Sequence, residues 1–319
     1  MTPNQIEKVL EIKTYSIAHL EIALYQDPDV WLPYSATEML NFLIQNNYLS
    51  SLKDNSVLDL GTGSGIIGIA CEMLGATNVI LGDYCAAAVV SAEQNAQLNR
   101  LHAKGVQSDR FASFSGQAFD LIISNPPVQP WLFTDTSHRE NRLSTSAWNE
   151  AGYDGRLVLD ALICESKNLL SHQGQVITSC SSRHGHRQTL ALLEQYWANQ
   201  WEEIFVSEHI IDPNYHKPYM NIWLKLQDED LDLRVYQKDG EGRKYAFQKD
   251  NKRAFYLLTE WEIAGDLIPV KIYKELDSYR IFNQNKEKIL DLTEEDYHFP
   301  ELSLAQPWYY TYHLLRLKI

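Results

Sequence analysis

Val57-Leu58-Asp59-Leu60-Gly61-Thr62-Gly63-Ser64-Gly65 carries an apolar run directly into a glycine-rich turn. Ser56 to Leu60 reads as a short buried strand, and the apolar run from Ile66 to Leu74 reads as the helix that follows. Such a turn lets backbone approach a ligand at the carboxyl end of a strand, beside a helix N-terminus. Two ligand classes fit the spacing. Gly63-x-Gly65-x-x-Gly68 matches the dinucleotide fingerprint, with Asp83 where a ribose-binding acid belongs. Asp59 points to the other class. A carboxylate inside a buried strand is costly without a partner. An anionic pyrophosphate repels it, whereas a ligand with an amino group and a sulfonium suits it. The turn alone leaves both ligands open, and a purely structural turn beside them.

Working outward, the β-α-β pattern continues. Asn78 to Leu81 is a strand ending in Gly82-Asp83-Tyr84, and Ala86 to Asn99 is a helix. A weak strand lies near Val106 and a strong one spans Phe119 to Ile123. Leu157 to Leu170 reads as a helix, Gln175 to Ser179 as a strand and Arg187 to Tyr196 as a helix. Glu203 to Val206 and Met220 to Leu224 read as two closing strands, expected to pair antiparallel at one edge. Together these predict an α/β fold with a doubly wound, mostly parallel, seven-stranded Rossmann-like sheet. Residues 5 to 25 read as a helix, and Ser35 or Thr37 is placed to cap a second helix reaching Ile44. Beyond the polar break Gln227-Asp228-Glu229-Asp230 come short alternating runs, with a hairpin signal at Asp239-Gly240. The expected organisation is a helical N-terminal segment (1–48), a core domain (49–226) and a small strand-rich appendage (227–319). The acidic cluster Asp228 to Asp232 is expected to be a solvated linker.

The bulk numbers narrow the partners. The chain has 319 residues, is 45% apolar and carries a net charge of −14. That charge disfavours nucleic acid, whose binding rests on Lys and Arg displacing counterions. Lys238, Lys244, Lys249 and Lys252 cluster, but Asp239, Glu241 and Asp250 lie among them, as on a solvated mixed-charge surface. No apolar run approaches the roughly 18 residues of a membrane span. Met1-Thr2-Pro3-Asn4-Gln5 lacks the layout of a signal peptide, and Cys71, Cys85, Cys164 and Cys180 are widely spaced. The expectation is a cytoplasmic protein with buried thiols. His184-Gly185-His186 lacks a third ligand nearby and reads as polar surface, so no metal is expected.

The second chemical signal is Asn125-Pro126-Pro127-Val128, directly after the strand Phe119 to Ile123. Proline has no N–H and a fixed φ, so it suits neither a strand nor a helix interior. It stiffens a loop and aims carbonyls outward. Asn125 adds a carbonyl and an amide on a short stem. The set is a rigid rack of acceptors that can hold the N–H bonds of a planar amine or amide. Two acids complete the pattern. Asp83, at the end of the second strand, can accept both hydroxyls of a ribose. Asp109, after the weak third strand, can accept from an adenine amino group while Tyr84 or Phe111 lies against the ring.

In that order, the glycine turn with Asp59, then Asp83, Asp109 and Asn125-Pro126-Pro127-Val128 resemble the class I S-adenosylmethionine methyltransferases. The likeness is to the Asn-Pro-Pro branch, which includes the release-factor glutamine, small-subunit ribosomal RNA guanine and adenine-N6 enzymes. It covers roughly residues 28 to 226. Pro33-Tyr34-Ser35-Ala36-Thr37-Glu38 is similar to the Pro-x-x-x-Thr-Glu stretch that flanks the cofactor in the glutamine-methylating members. Ala151-Gly152-Tyr153-Asp154-Gly155-Arg156 resembles their Gly-x-Asp-Gly segment. The resemblance implies S-adenosylmethionine as cofactor, held by Thr37, Asp59, Gly61, Thr62, Gly63, Gly65, Asp83, Tyr84, Asp109 and Asn125. It implies that Asn125, Pro126 and Pro127 are catalytic. Where the family often has Tyr or Phe after the two prolines, this chain has Val128. Tyr34, Val128 and Trp131 are therefore the expected acceptor-binding residues. The expected activity is N-methylation of a peptide, a protein side chain or a small metabolite. RNA or DNA base methylation is the alternative, and a nicotinamide-dependent oxidoreductase is a more distant one.

Overall fold

The computed structural model describes residues 10–27, 30, 34–130, 151–212, 219–220, 222–227, 232, 234–238 and 307–319, and the backbone of short strands between 244 and 293. Its first element is not the expected helix. Residues Ile12–Ile17 (β1) and Leu20–Tyr25 (β2) form an antiparallel hairpin turning at Ala18-His19. Leu20, Ile22 and Leu24 are buried while Glu21 is exposed, a period of two and not of 3.6. The free edge of β2 is closed by side chains. Asn99 accepts from the Ala23 N–H at 3.0 Å and donates to its carbonyl at 2.7 Å, and Asn95 accepts from the Tyr25 N–H at 2.8 Å. An edge satisfied in this way needs no further strand.

Helix α1 (Tyr34–Gln45) follows, so Ser35 and Thr37 lie inside its first turn and do not cap it. The core then alternates β3 (Ser56–Leu60), α2 (Ile66–Met73), β4 (Asn78–Asp83), α3 (Ala86–Leu98), β5 (Lys104–Gln107) and β6 (Phe119–Ser124). After these come α4 (Leu157–Glu165), β7 (Leu170–Ser181), α5 (His186–Trp197) and β8 (Trp201–Ile210). Residues 219–220 and 222–227 are helical, which corrects the expected strand at Met220 to Leu224. Tyr219, Trp223 and Leu226 are buried at helical spacing, so this stretch turns one apolar face inward.

The seventh strand comes instead from the end of the chain. Strand order in the central sheet is β5-β4-β3-β6-β7-β16-β8, where β16 is Tyr309–Lys318. β16 runs antiparallel to both neighbours, while the β5-to-β7 part is parallel. The core therefore does not stop at residue 226. Leu314, Leu315 and Leu317 are buried, so β16 fills the sheet interior as β7 does. The strand-rich segment between β8 and β16 holds β9 (Gln237–Lys238), β10 (Lys244–Tyr245), β11 (Trp261–Ile263), β12 (Asp266–Ile268), β13 (Val270–Glu275), β14 (Ser278–Asn283) and β15 (Lys288–Thr293). β9 pairs with β10, β11 with β12, and β13-β14-β15 form a three-stranded antiparallel sheet. The turn residues Asp239-Gly240 lie outside the described residues, as do Asp228 to Asp230. Asp232 is buried and accepts from the Arg187 N–H at 2.7 Å, so that end of the acidic cluster is not a solvated linker.

Two apolar layers cover the sheet. Val57, Leu81, Leu121, Ile123 and Ile177 face the layer of α1, α2 and the hairpin. Leu58, Ile80, Ile122 and Val176 face that of α4 and α5. Alternate residues of each parallel strand thus serve opposite layers. Among the described residues, no helix is long and apolar enough to cross a membrane.

Candidate active site

The site forms where the strand order reverses. β3 and β6 are parallel neighbours, with Asp59 opposite Ile123, and the connections from their carboxyl ends diverge. In open α/β sheets the crevice at such a point binds ligands. Here the two turns picked out in the sequence meet, with the Pro127 ring 3.9 Å from where a Cβ of Gly61 would lie. The Gly61 and Thr62 N–H groups donate to the Gly82 carbonyl at 2.8 and 3.0 Å, which ties the turn to β4. Gly65 begins α2 at φ +86°, and a Cβ there would lie 3.0 Å from that of Ala92 on α3. Both the backbone conformation and the helix contact require glycine. Asn95 also donates to the Ser64 carbonyl at 2.9 Å, joining turn, α3 and hairpin.

Asp59 is fully buried. Its Oδ2 accepts from Thr62 Oγ1 at 2.7 Å and from the Gly68 N–H, in the first turn of α2, at 2.9 Å. Oδ1 is buried and has no hydrogen-bond partner. Burial pushes the Asp59 carboxyl up to about 7, against the pull of Thr62 and Gly68. An unsatisfied carboxylate oxygen behind the glycine turn suits a cationic ligand and opposes a pyrophosphate. Asp83 ends β4, accepting from the Gly63 N–H at 3.0 Å and the Cys85 N–H at 2.9 Å. Its carboxyl is also raised by burial. Tyr84 beside it is 66% exposed, an open ring face at the mouth. Asp109 is exposed and pairs with Arg110 at 3.0 Å. Phe111, however, is buried in the layer with Leu58, Ile80 and Phe114 and is not free to stack on a ligand. Of the two expected rings, only Tyr84 remains available.

Asn125 follows β6, and its side chain is held from three elements. Nδ2 donates to Ser35 Oγ of α1 at 2.9 Å. Oδ1 accepts from Ser179 Oγ of β7 at 2.7 Å and from the Tyr312 hydroxyl of β16 at 3.3 Å. Thr37 lies in α1 two residues after Ser35 and one before Glu38, which pairs with His209 at 2.9 Å. The Glu38 carboxyl is lowered chiefly by that hydrogen bond. His209 in turn stacks on Tyr310 at 5.2 Å and meets Tyr312 edge-on at 5.6 Å.

Val128 is buried, and Gly155 packs on its carbonyl. Ala151 donates to the Gln129 carbonyl at 2.7 Å. The Ala151 to Arg156 segment thus braces the proline turn from below. Buried Arg156 extends the brace, donating to the His184 carbonyl and to Thr189 Oγ1 at 3.0 Å. His184 is itself buried, its Nδ1 accepting from the Ser181 N–H at 3.0 Å, and is not surface. Burial and nearby arginines hold its pKa well below the usual histidine value, so it is neutral. Cys71 and Cys180 are buried thiols, while Cys85 and Cys164 are partly exposed. The Tyr34 side chain and Trp131 lie outside the described residues.

Sequence reasoning missed Ser179 and the contact between Tyr312 and Asn125. Ser179 carried a faint signal, as a hydroxyl at the carboxyl end of a buried parallel strand. Tyr312 stands in the aromatic stretch Trp308 to His313, which reads as packing of the appendage ahead of a wall of the acceptor cleft, and only its contact with Asn125, 187 positions away, left no trace in the sequence.

Comparison with known proteins agrees with this geometry. A family model described as methyltransferase small domain matches residues 35–200. A protein of Methanocaldococcus jannaschii, named a protein N5-glutamine methyltransferase, is 34% identical over 173 residues, covering 54% of this chain and 83% of that protein. A ribosomal protein uL3 glutamine methyltransferase of Francisella tularensis is 35% identical over 142 residues, 42% of this chain and 45% of that one. A ribosomal RNA small subunit methyltransferase C of Mannheimia succiniciproducens is 36% identical over 159 residues, 47% and 45% of the two chains. This chain thus spans most of the first relative and under half the length of the other two. Given a match over residues 35–200 and a switch-point crevice suited to a sulfonium, the chain belongs to the methyltransferase small domain family and is an S-adenosylmethionine-dependent methyltransferase.

Proposed function

We propose that the protein methylates an amide nitrogen of a protein side chain, with Asn125 and the Pro126 carbonyl holding the acceptor. The observation that carries this reading is the Asn125 carbonyl, fixed at the end of β6 beside the glycine turn. An amide nitrogen is a poor nucleophile because its lone pair is delocalised. When Asn125 Oδ1 and the Pro126 carbonyl accept its two N–H bonds, the lone pair is aimed at the methyl group. Positioning of this kind supplies on the order of 7–11 kcal/mol of a barrier. Pro126 and Pro127, with fixed φ and no N–H, keep the carbonyl direction rigid.

The bound cofactor supplies an activated methyl group on a sulfonium. Asp59 and its glycine turn suit the cationic end, Asp83 the ribose, and Tyr84 and Asp109 the adenine. Once methylated, the acceptor nitrogen would lose its proton to water, with the electron pair of the broken carbon–sulfur bond left on the cofactor. No strong base is needed before attack, which agrees with a site built of amide and hydroxyl groups.

Two of the relatives are named for glutamine side chains of proteins, which supports an amide acceptor, and the chain's charge of −14 agrees with a protein target. The test uses S-adenosylmethionine with a labelled methyl group and a cell extract, split by protease, nuclease and size filtration. Protease-sensitive label on large molecules is expected. Nuclease-sensitive label would contradict the reading in favour of RNA, as the ribosomal RNA relative's name would have it. Label in the small-molecule filtrate would contradict it too.

A further inference from the structure

An asparagine amide has two ends of nearly the same shape and opposite hydrogen-bonding sense. The chemistry above works only if the carbonyl of Asn125 faces the acceptor, because a flipped amide would set donors against donors. We infer that Tyr312, assisted by Ser179, is a positioning residue that fixes this orientation, and that its hydroxyl yields its place to the acceptor N–H. The inference rests on the reading of Asn125 given above.

The three hydroxyls around the amide are not equivalent. Ser35 Oγ lies 2.9 Å from Nδ2 and Ser179 Oγ lies 2.7 Å from Oδ1. A serine hydroxyl donates or accepts, so either amide orientation suits it. A phenol shares its oxygen lone pair with the ring, which makes it a good donor and a poor acceptor. Tyr312 is 3% exposed, and burial raises its pKa, so it keeps its proton. Its hydroxyl lies 3.3 Å from Asn125 and also hydrogen-bonds Ser179, and as a donor it favours an oxygen over the amide nitrogen at that position.

The tyrosine itself has little freedom. It lies in the sheet interior, opposite Ser181 of β7 and Ser207 of β8, with the His209 ring edge-on at 5.6 Å. Ser179 and Tyr312 together occupy both lone pairs of Oδ1. The Tyr312 contact is the longer, so it is the one that an arriving N–H displaces. Asn125 is thus kept oriented and satisfied in the free enzyme, and the acceptor loses little in taking over the bond.

The test pairs a spectrum with a rate. In full-length protein labelled with 15N-asparagine, the side-chain amide pair of Asn125 is identified by its loss in Asn125→Ala. Tyr312→Phe keeps the ring and is expected to shift or broaden that pair, while S-adenosylmethionine affinity stays within about twofold. The rate of labelled methyl transfer at limiting concentrations of extract protein, where binding to the free enzyme sets the rate, falls about tenfold, the scale of one hydrogen bond. Ser179→Ala moves the pair as well, with a smaller loss of rate. An unmoved Asn125 pair in either variant, or transfer by Tyr312→Phe at the wild-type rate, would overturn the inference. The spectrum needs no acceptor, so a wrong acceptor class leaves this arm readable. Should Tyr312→Phe not fold, the amide pair in Ser179→Ala decides.

Discussion

Asp59 is the residue on which the cofactor reading turns. A buried carboxyl raised to about 7 prefers its proton in the free enzyme. Such a group contributes stability that is complete below its unfolded value near 4 and is lost as pH rises through about 7. A cationic ligand reverses the preference by favouring the carboxylate, so binding expels the proton. The affinity for S-adenosylmethionine should therefore fall as pH drops below about 7, by up to ~10-fold per unit. Calorimetry between about pH 5.5 and 7.5 measures this slope, and Asp59→Asn should flatten it. An equal slope in both proteins would assign the pH dependence elsewhere, with Asp83, also raised by burial, as the next group to examine.

At the scale of elements, the proline turn is stiff because something holds it from beneath. Gly155 sits at φ +81°, and a Cβ there would run into the Val128 carbonyl. Gly155→Ala therefore combines left-handed strain of about 1–2 kcal/mol with a displaced Asn-Pro-Pro-Val turn. Its melting temperature should drop by several degrees and methyl transfer should fall more than cofactor affinity. A variant matching wild type in melting and rate would show that this brace does not matter.

The same scale shows what the sequence can and cannot convey. Local signals placed β3, the glycine turn, α2, β4, α3 and β6, because each is specified by its own apolar period and its own turn. The N-terminal hairpin was misread because Ile12, Ile17 and Leu20 sit near helical spacing, while the partners that close its edge, Asn95 and Asn99, are 70 and 76 positions away. Met220 to Leu224 reads as a strand for the opposite reason. Their apolar content resembled a strand, and only the joint burial of Tyr219, Trp223 and Leu226 reveals a helix. Of the site, the backbone turns and strand-end acids were legible, since they lie within motifs. The hydroxyls around Asn125 were not, since tertiary folding alone brings them there.

Over the whole molecule, one topological fact shapes the rest. The chain leaves the sheet after β8, passes through the strand-rich segment and returns as β16 between β7 and β8. The segment is thus an insertion between two core strands, β8 and the β16 that bears Tyr312. Asn125 consequently gathers contacts from α1, β7 and β16, whose residues stand 90, 54 and 187 positions from it. An intact sheet is a condition of an oriented amide.

The central claim is that methyl transfer takes place at the Asn125-Pro126-Pro127 turn, with cofactor binding a separate task of the glycine turn and its acids. Asn125→Ala tests it most directly, with S-adenosylmethionine affinity measured by calorimetry and transfer of labelled methyl measured on the protein fraction of an extract. The account predicts affinity within several-fold of wild type and transfer reduced by at least ~100-fold. Transfer at the wild-type rate by Asn125→Ala would contradict it.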